Sequence, residues 1–196
     1  MIALEKWVIN TPKPYCNKSS LFAPVERNKH MRKQNITNII VRESITTALF
    51  QLIEKKNFSE ITISELVKRA GVSRNSFYRN YDNLEDILRQ FLRNTVETWW
   101  KSCPQKEYPD VYLHLFRMFL TIKREINIIY KAGLSHLMID LFAYCNQEAR
   151  AQATTPDALY KTTFFSTGLW GVSNEWILRG MKESPEEMYE IFGGQN

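Results

Sequence analysis

The sequence predicts an all-α fold, with an N-terminal three-helix helix-turn-helix domain and a C-terminal helical bundle behind it. Three observations carry this expectation. Apolar residues recur at three- and four-residue spacing from Thr37 onward. Helix-start signatures stand at the head of two apolar runs, Thr62-Ile63-Ser64-Glu65 and Ser184-Pro185-Glu186-Glu187. No segment reads convincingly as a strand.

The elements follow in order. Pro12, Pro14 and Pro24 break any helix in residues 1–35, and Asn17-Lys18-Ser19-Ser20 is loop-like, so this stretch reads as a poorly ordered arm. Met31-Arg32-Lys33-Gln34 has the look of an ordinary bacterial protein start, which makes the first 30 residues an extension, as from an upstream start codon. A natively expressed mass matching the chain from Met1 would exclude that. From Thr37, Ile45, Ala48, Leu49, Leu52 and Ile53 form one apolar stripe. That helix is expected to end near Lys56-Asn57, before the connector Phe58-Ser59-Glu60-Ile61. The Thr62 box opens a short helix to Ala70, with Leu66 and Val67 inward. Gly71 supplies a left-handed turn. Ser73 caps a second short helix through Tyr81, and Asn83, with Asp86 three residues on, caps a third to about Trp100.

The stretch from Cys103-Pro104 to Tyr108-Pro109 is a prolyl break between halves. Beyond it, Asp110 caps a helix to about Arg124. Short helices over 126–132 and from Leu134 to about Ala151 come next, separated by Gly133. Thr154-Thr155-Pro156-Asp157 is a loop, followed by a long helix from Ala158 to Met181 and a last one after Ser184. The expected domains are therefore an arm at 1–35, a helix-turn-helix at 36–82, a connecting helix at 83–103 and a helical domain at 104–196.

Composition narrows the class. The chain has 196 residues, 44% hydrophobic and 24% charged, which is ordinary for a globular protein with a real core. The longest uncharged stretch, residues 162–174, is too short to span a bilayer. The first residues lack the basic-then-apolar order of a signal peptide. Cys16, Cys103 and Cys145 are odd in number and contain no CxxC, which argues against a disulfide framework or a structural zinc site. These features suit a cytoplasmic protein. The formal charge of +5 is uneven: 5 basic against 2 acidic groups in residues 1–31, 12 against 8 in 32–101, and 9 against 11 in 102–196. A polyanion partner would therefore meet the first half, although a plain solvated surface has the same arithmetic.

The stretch Thr62–Tyr81 has helix-turn-helix size and turn chemistry. In its second helix Phe77 and Tyr81, four apart, can pack inward, while Arg74, Asn75 and Ser76 lie on the first turn and Tyr78 and Arg79 follow. Arg and Asn can read guanine and adenine edges through bidentate bonds, and the major groove admits one helix. An exposed polar helix on an all-α domain has the same pattern.

Residues 61–88, from Ile61-Thr62-Ile63-Ser64-Glu65-Leu66 through Ala70-Gly71-Val72-Ser73-Arg74-Asn75-Ser76-Phe77-Tyr78-Arg79-Asn80-Tyr81 to Ile87-Leu88, resemble the DNA-binding domain of TetR-family transcriptional regulators. With the preceding helix, the resemblance spans about 37–92. It implies a dimeric all-α protein whose three N-terminal helices bind double-stranded DNA. A divergent C-terminal bundle would pair two copies and usually bind a small effector. It also implies phosphate contacts at Thr62, Tyr78 and the backbone near Ser73, and base- or groove-facing roles for Arg74, Asn75, Ser76 and Asn80. Arg79 follows on the same exposed helix. The chain departs from the family where Asn75-Ser76 replaces a frequent Gly-Thr, Asn80 a frequent His, and Leu84 a Lys. Those departures bear on the operator sequence.

Gly168-Leu169-Trp170-Gly171, Trp176, Gly180-Met181 and Ser184-Pro185-Glu186-Glu187-Met188 resemble the last two helices of many such regulators, where the two-fold interface lies. Phe165, Leu169, Val172 and Trp176 form one stripe, and Gly168 and Gly171 permit close backbone approach, so these six are the expected dimer interface. Burial inside one protomer remains the alternative. Tyr112, Phe116, Phe119, Tyr130, Phe142 and Trp170 are candidates for an effector pocket between helices, or are simply core. His114 and His136 suit a surface, and His136, Asp140 and Cys145 have no metal-ligand spacing, so no metal and no cofactor are expected. No GxSxG, HExxH, P-loop or Rossmann glycine pattern occurs, which argues against an enzyme. The expected function is a ligand-released homodimeric repressor, with a DNA-binding protein lacking an effector as the alternative.

Overall fold

The computed structural model describes residues 29–103 and 110–192. Among them it holds ten α-helices, one 3₁₀ turn and no strand, so the all-α expectation is met. The helices are α1 (Lys29–Ile53), α2 (Ile63–Ala70), α3 (Arg74–Tyr78), α4 (Leu84–Ser102), α5 (Asp110–Thr121), α6 (Lys123–Lys131), α7 (His136–Cys145), α8 (Gln147–Gln152), α9 (Pro156–Leu178) and α10 (Pro185–Phe192), with the 3₁₀ turn at Phe58–Glu60. Residues 1–28, and the prolines expected to break the chain between 104 and 109, lie outside the described residues.

The chain divides into two compact units. The first, here the head, joins residues 29–96 to 123–141. The second, the body, joins 97–103, 110–122 and 142–192. The head thus includes α6 and the first part of α7 as well as the helix-turn-helix.

Helix boundaries follow local chemistry where a cap exists. Thr62 Oγ1 accepts the Glu65 amide at 3.2 Å, and Gly71 stops α2 at φ 66°, which glycine reaches without a Cβ penalty. Asn83 Oδ1 accepts the Asp86 amide at 2.9 Å and opens α4. The Ser184 box closes in both directions: the Glu187 amide donates to Ser184 Oγ at 3.1 Å and the Ser184 amide to Glu187 Oε2 at 2.7 Å.

Elsewhere the boundaries move. The first helix begins at Lys29 rather than Thr37, inside the stretch expected to be an arm. No proline or glycine stands between Pro24 and Gly71, and Met31, Arg32, Lys33 and Gln34 are good helix formers. It also stops at Ile53, three residues before Lys56. The break expected between Arg124 and Ile126 falls at Ile122, between α5 and α6, and the helix expected from Leu134 to Ala151 is cut at Asn146 into α7 and α8. Thr155 Oγ1 caps α9 by accepting the Ala158 amide at 3.2 Å, so the loop expected at 154–157 ends in a helix start with Pro156 in the first turn.

The head core is built from Ile45, Leu49, Leu66, Phe77, Ile87, Leu88 and Leu92, all essentially inaccessible, with Phe50 edge-on to Phe91 at 5.1 Å. Arg124 reaches both oxygens of Glu54 at 2.8 Å, tying α6 to the end of α1, and Arg89 Nε donates to Asp140 at 3.1 Å, tying α4 to α7. In the body, Phe116 meets Trp176 edge-on at 5.2 Å and Phe119 meets Phe142 at 6.3 Å.

Candidate nucleic-acid interface

The reading surface is produced by two buried rings. Phe77 is fully buried and Tyr81 nearly so, their centroids 6.0 Å apart. Arg42 lies 5.9 Å over the Tyr81 ring while its Nη2 donates to Gln90 at 2.7 Å, which ties Tyr81, three residues past α3, to α1 and α4. With that face fixed inward, the 3.6-residue period turns Arg74, Asn75, Tyr78 and Arg79 outward, and all four are exposed.

The first turn of α3 is held by its own hydroxyls. Ser73 Oγ accepts the Ser76 amide at 3.0 Å, and the two hydroxyls lie 2.9 Å apart in a shared hydrogen bond. Ser76 is consequently half-buried. Tyr78 is 60% exposed, its ring edge-on to Phe77 at 5.2 Å, so a rigid aromatic stem supports its hydroxyl. Thr62 is exposed at the start of α2.

Two placements refine the expected roles. The Arg74 guanidinium donates to Ser64 Oγ, across the helix-turn-helix angle. In the sequence Ser64 belongs to the Thr62 box, and nothing local links it to Arg74, ten residues on. Asn80 is half-buried: its amide nitrogen donates to the Ser76 carbonyl at 2.8 Å, and its own carbonyl accepts Gln90 Nε2 at 3.0 Å. The Asn80 side chain therefore closes the end of α3 rather than standing free on its outer face.

The electrostatics favour a polyanion. Between Ile61 and Tyr81 stand Lys68, Arg69, Arg74 and Arg79 against the single acid Glu65, and Glu65 is paired with Lys56. Arg69 Nε is committed to Gln51 at 2.9 Å. An exposed basic helix of this width fits a major groove.

Comparison with known proteins agrees with this geometry. Residues 45–91 match the bacterial regulatory proteins of the tetR family, and residues 107–194 match a transcriptional regulator C-terminal region. Together the two matches cover more than half of the chain.

The chain belongs to the TetR family.

It is a DNA-binding transcriptional regulator, with the family's N-terminal DNA-binding domain and a C-terminal helical domain. The crystal structure of Lin0861 from Listeria innocua has the same fold, at a TM-score of 0.68 and 15% identity over 89% of this chain and 95% of that one. No curated protein matches the chain. Among the described residues, no helix of this regulator is long and apolar enough to cross a membrane.

The remaining candidates of the TetR-family chain divide between packing and surface. Phe165, Leu169 and Val172 are half-buried on α9, and Gly168 is exposed. A Cβ built at Gly168 or Gly171 meets nothing of the protomer. Trp176 is withdrawn from the expected interface stripe: it is 2% exposed, rests on Phe116, and its Nε1 donates to the Glu183 carbonyl at 3.0 Å. The bare apolar residues are instead Tyr160, Phe164 and Leu178 on α9 and Ile191 on α10, all more than 60% exposed.

Among the pocket candidates, Phe116, Phe119 and Phe142 are buried in aromatic contacts of the body, and Tyr112 and Trp170 are half-buried there. Tyr130 belongs to the head, where burial pushes its hydroxyl up to about 12. His136 is exposed, its Nε2 3.3 Å from Glu85.

Proposed function

We propose that this regulator is a homodimeric, cytoplasmic repressor without enzymatic activity, released from a near-palindromic operator by a small effector. One observation carries the DNA-reading part: a capped helix start that exposes Arg74 and Asn75 while Phe77 and Tyr81 anchor the opposite face. In this reading Arg74 and Asn75 contact base edges, and Thr62, Tyr78, Arg79 and the backbone at Ser73 hold phosphates. Ser76 and Asn80 set the pitch and end of the helix. Arg74 must leave Ser64 to reach a base, so Ser64 holds the guanidinium ready in the free protein.

The dimer part is supported by the bare face of α9. Tyr160, Phe164, Leu178 and Ile191 leave apolar side chains in water, a cost that a partner surface removes. Gly171 lies on that face and Gly168 beside it, which lets a second backbone approach, while Phe165, Leu169 and Val172 turn to the other side of α9. Two-fold pairing would then place two copies of α3 in successive major grooves. Effector binding in the body, among residues such as Tyr112, Phe116, Phe119, Phe142 and Trp170, would favour a dimer whose heads are spaced wrongly for DNA. That requires different effector affinities in the two states.

The test compares two substitutions on selected and random duplexes. Arg74→Ala should weaken the selected site by about 1–3 kcal/mol and relax its sequence preference. Tyr78→Phe should weaken both duplexes alike. Equal losses for Arg74→Ala on both would assign it to phosphate and overturn the base-reading role.

A further inference from the structure

Among the described residues the one buried polar side chain is Ser173, with no exposure at all, and its hydroxyl has no hydrogen-bond partner. One turn earlier on the same face of α9, the indole N–H of Trp170 is likewise buried and unpartnered, while the rest of that side chain is half-buried. One turn later on that face, Trp176 meets Phe116 of α5. The two polar groups therefore lie on the packed side of α9.

Other helix hydroxyls of the protein show that this is a choice of direction. A serine or threonine inside a helix normally returns its proton to a carbonyl three or four residues back. Ser166 of α9 does so, to Thr162 at 2.9 Å, as do Thr95 to Phe91 at 2.9 Å and Thr121 to Met118 at 2.7 Å. Ser173 makes no such bond. A buried hydroxyl and a buried indole N–H left unpaired each cost free energy that a ligand atom would recover.

We propose that Trp170 and Ser173 together grip a carbonyl-type oxygen of an uncharged, otherwise apolar molecule, such as an aryl ketone. An indole N–H only donates, and a carbonyl oxygen has two lone pairs, so one oxygen satisfies both groups. Among the described residues of the body no cation is buried to offset a carboxylate, and an unpaired buried charge is far costlier than a neutral acceptor. This assignment rests on the reading of the body as the effector-sensing part and names the chemistry that part accepts.

The experiment uses full-length protein with ¹⁵N-labelled indoles. The probes are acetophenone, its isostere α-methylstyrene, which has a methylene in place of the oxygen, and benzoate. Acetophenone should shift the indole cross-peak that Trp170→Phe removes. It should bind at least about five-fold tighter than either control, the difference expected of one or two net hydrogen bonds. Ser173→Ala should raise the Tm of the free protein, because it removes an unpaired buried hydroxyl, and should weaken acetophenone about five-fold or more. Equal affinity for ketone and isostere, an unmoved Trp170 peak, or unchanged ketone affinity in Ser173→Ala would each overturn the proposal.

Operator release is measured in parallel on a metabolite panel. Release by a compound that binds wild type, Ser173→Ala and Trp170→Phe equally would sink this site and leave the effector reading standing. Ketone binding without release of DNA by any compound would keep the site and sink the effector reading.

Discussion

Phe77 is inaccessible to solvent, and its burial decides which side of α3 faces outward. Truncating it to alanine should cost about 3–5 kcal/mol in a denaturant titration, since a cavity opens under the reading helix. A loss below about 1 kcal/mol would mean that the helix is held by its caps alone. Tyr130 has an alkaline signature. Burial raises its hydroxyl from 10.0 to about 12, so it favours the folded state fully below pH 10 and less as pH rises through 12. Tyrosinate absorbance should therefore show one late-ionising group that Tyr130→Phe removes; titration of every tyrosine near 10 would contradict this. Single residues differ in how far their roles were legible. Phe77 and Tyr81 are legible because their spacing is helical and local. The bond from Arg74 to Ser64 depends on the angle between two helices, and the retreat of Trp176 depends on Phe116, distant in sequence. Neither leaves a periodic trace.

Helices with side-chain caps were readable as elements, because a cap is a contact between residues three apart: Thr62 with Glu65, Ser73 with Ser76, Asn83 with Asp86, Ser184 with Glu187. The break at Asn146 was not. It interrupts an apolar pattern without proline or glycine, so only packing in three dimensions specifies it. The start of α10 makes a prediction at this scale. Arg117 donates to Glu186 at 2.6 Å and holds its carboxyl below the ordinary 4.5. The Ser184 amide, then its hydroxyl, do the same for Glu187. Both carboxylates are depressed, so their contribution is complete above about pH 4.5 and fades as pH falls through the lower folded values. Carboxyl ¹³C shifts followed from neutral to strongly acidic pH should show both groups titrating late. Arg117→Ala should return Glu186 towards the ordinary value and leave Glu187 where it is. An unmoved Glu186 would show that the ion pair is not what holds it down.

At the scale of the molecule, the helix-turn-helix was legible in the sequence because its residues form one short contiguous run with strong turn chemistry. The grouping of α6 and the first part of α7 with the head was not, since it joins residues 123–141 to 29–96. The bare side of α9 is likewise a property of the folded chain, which hides Trp176 and leaves Tyr160, Phe164 and Leu178 outside. Phe164→Glu should weaken self-association about a hundred-fold or more, because pairing would then bury an unpaired carboxylate. Sedimentation should find monomers with an unchanged helical circular dichroism spectrum, and a dimer of wild-type strength would remove α9 from the interface. The most direct test of the whole account is selection of bound duplexes from a random pool by the wild-type protein. Enrichment of an inverted repeat, its half-sites about 10 base pairs or a small multiple apart, is the predicted result. No enrichment, or enrichment of one unrepeated site, would contradict two copies of α3 reading DNA together.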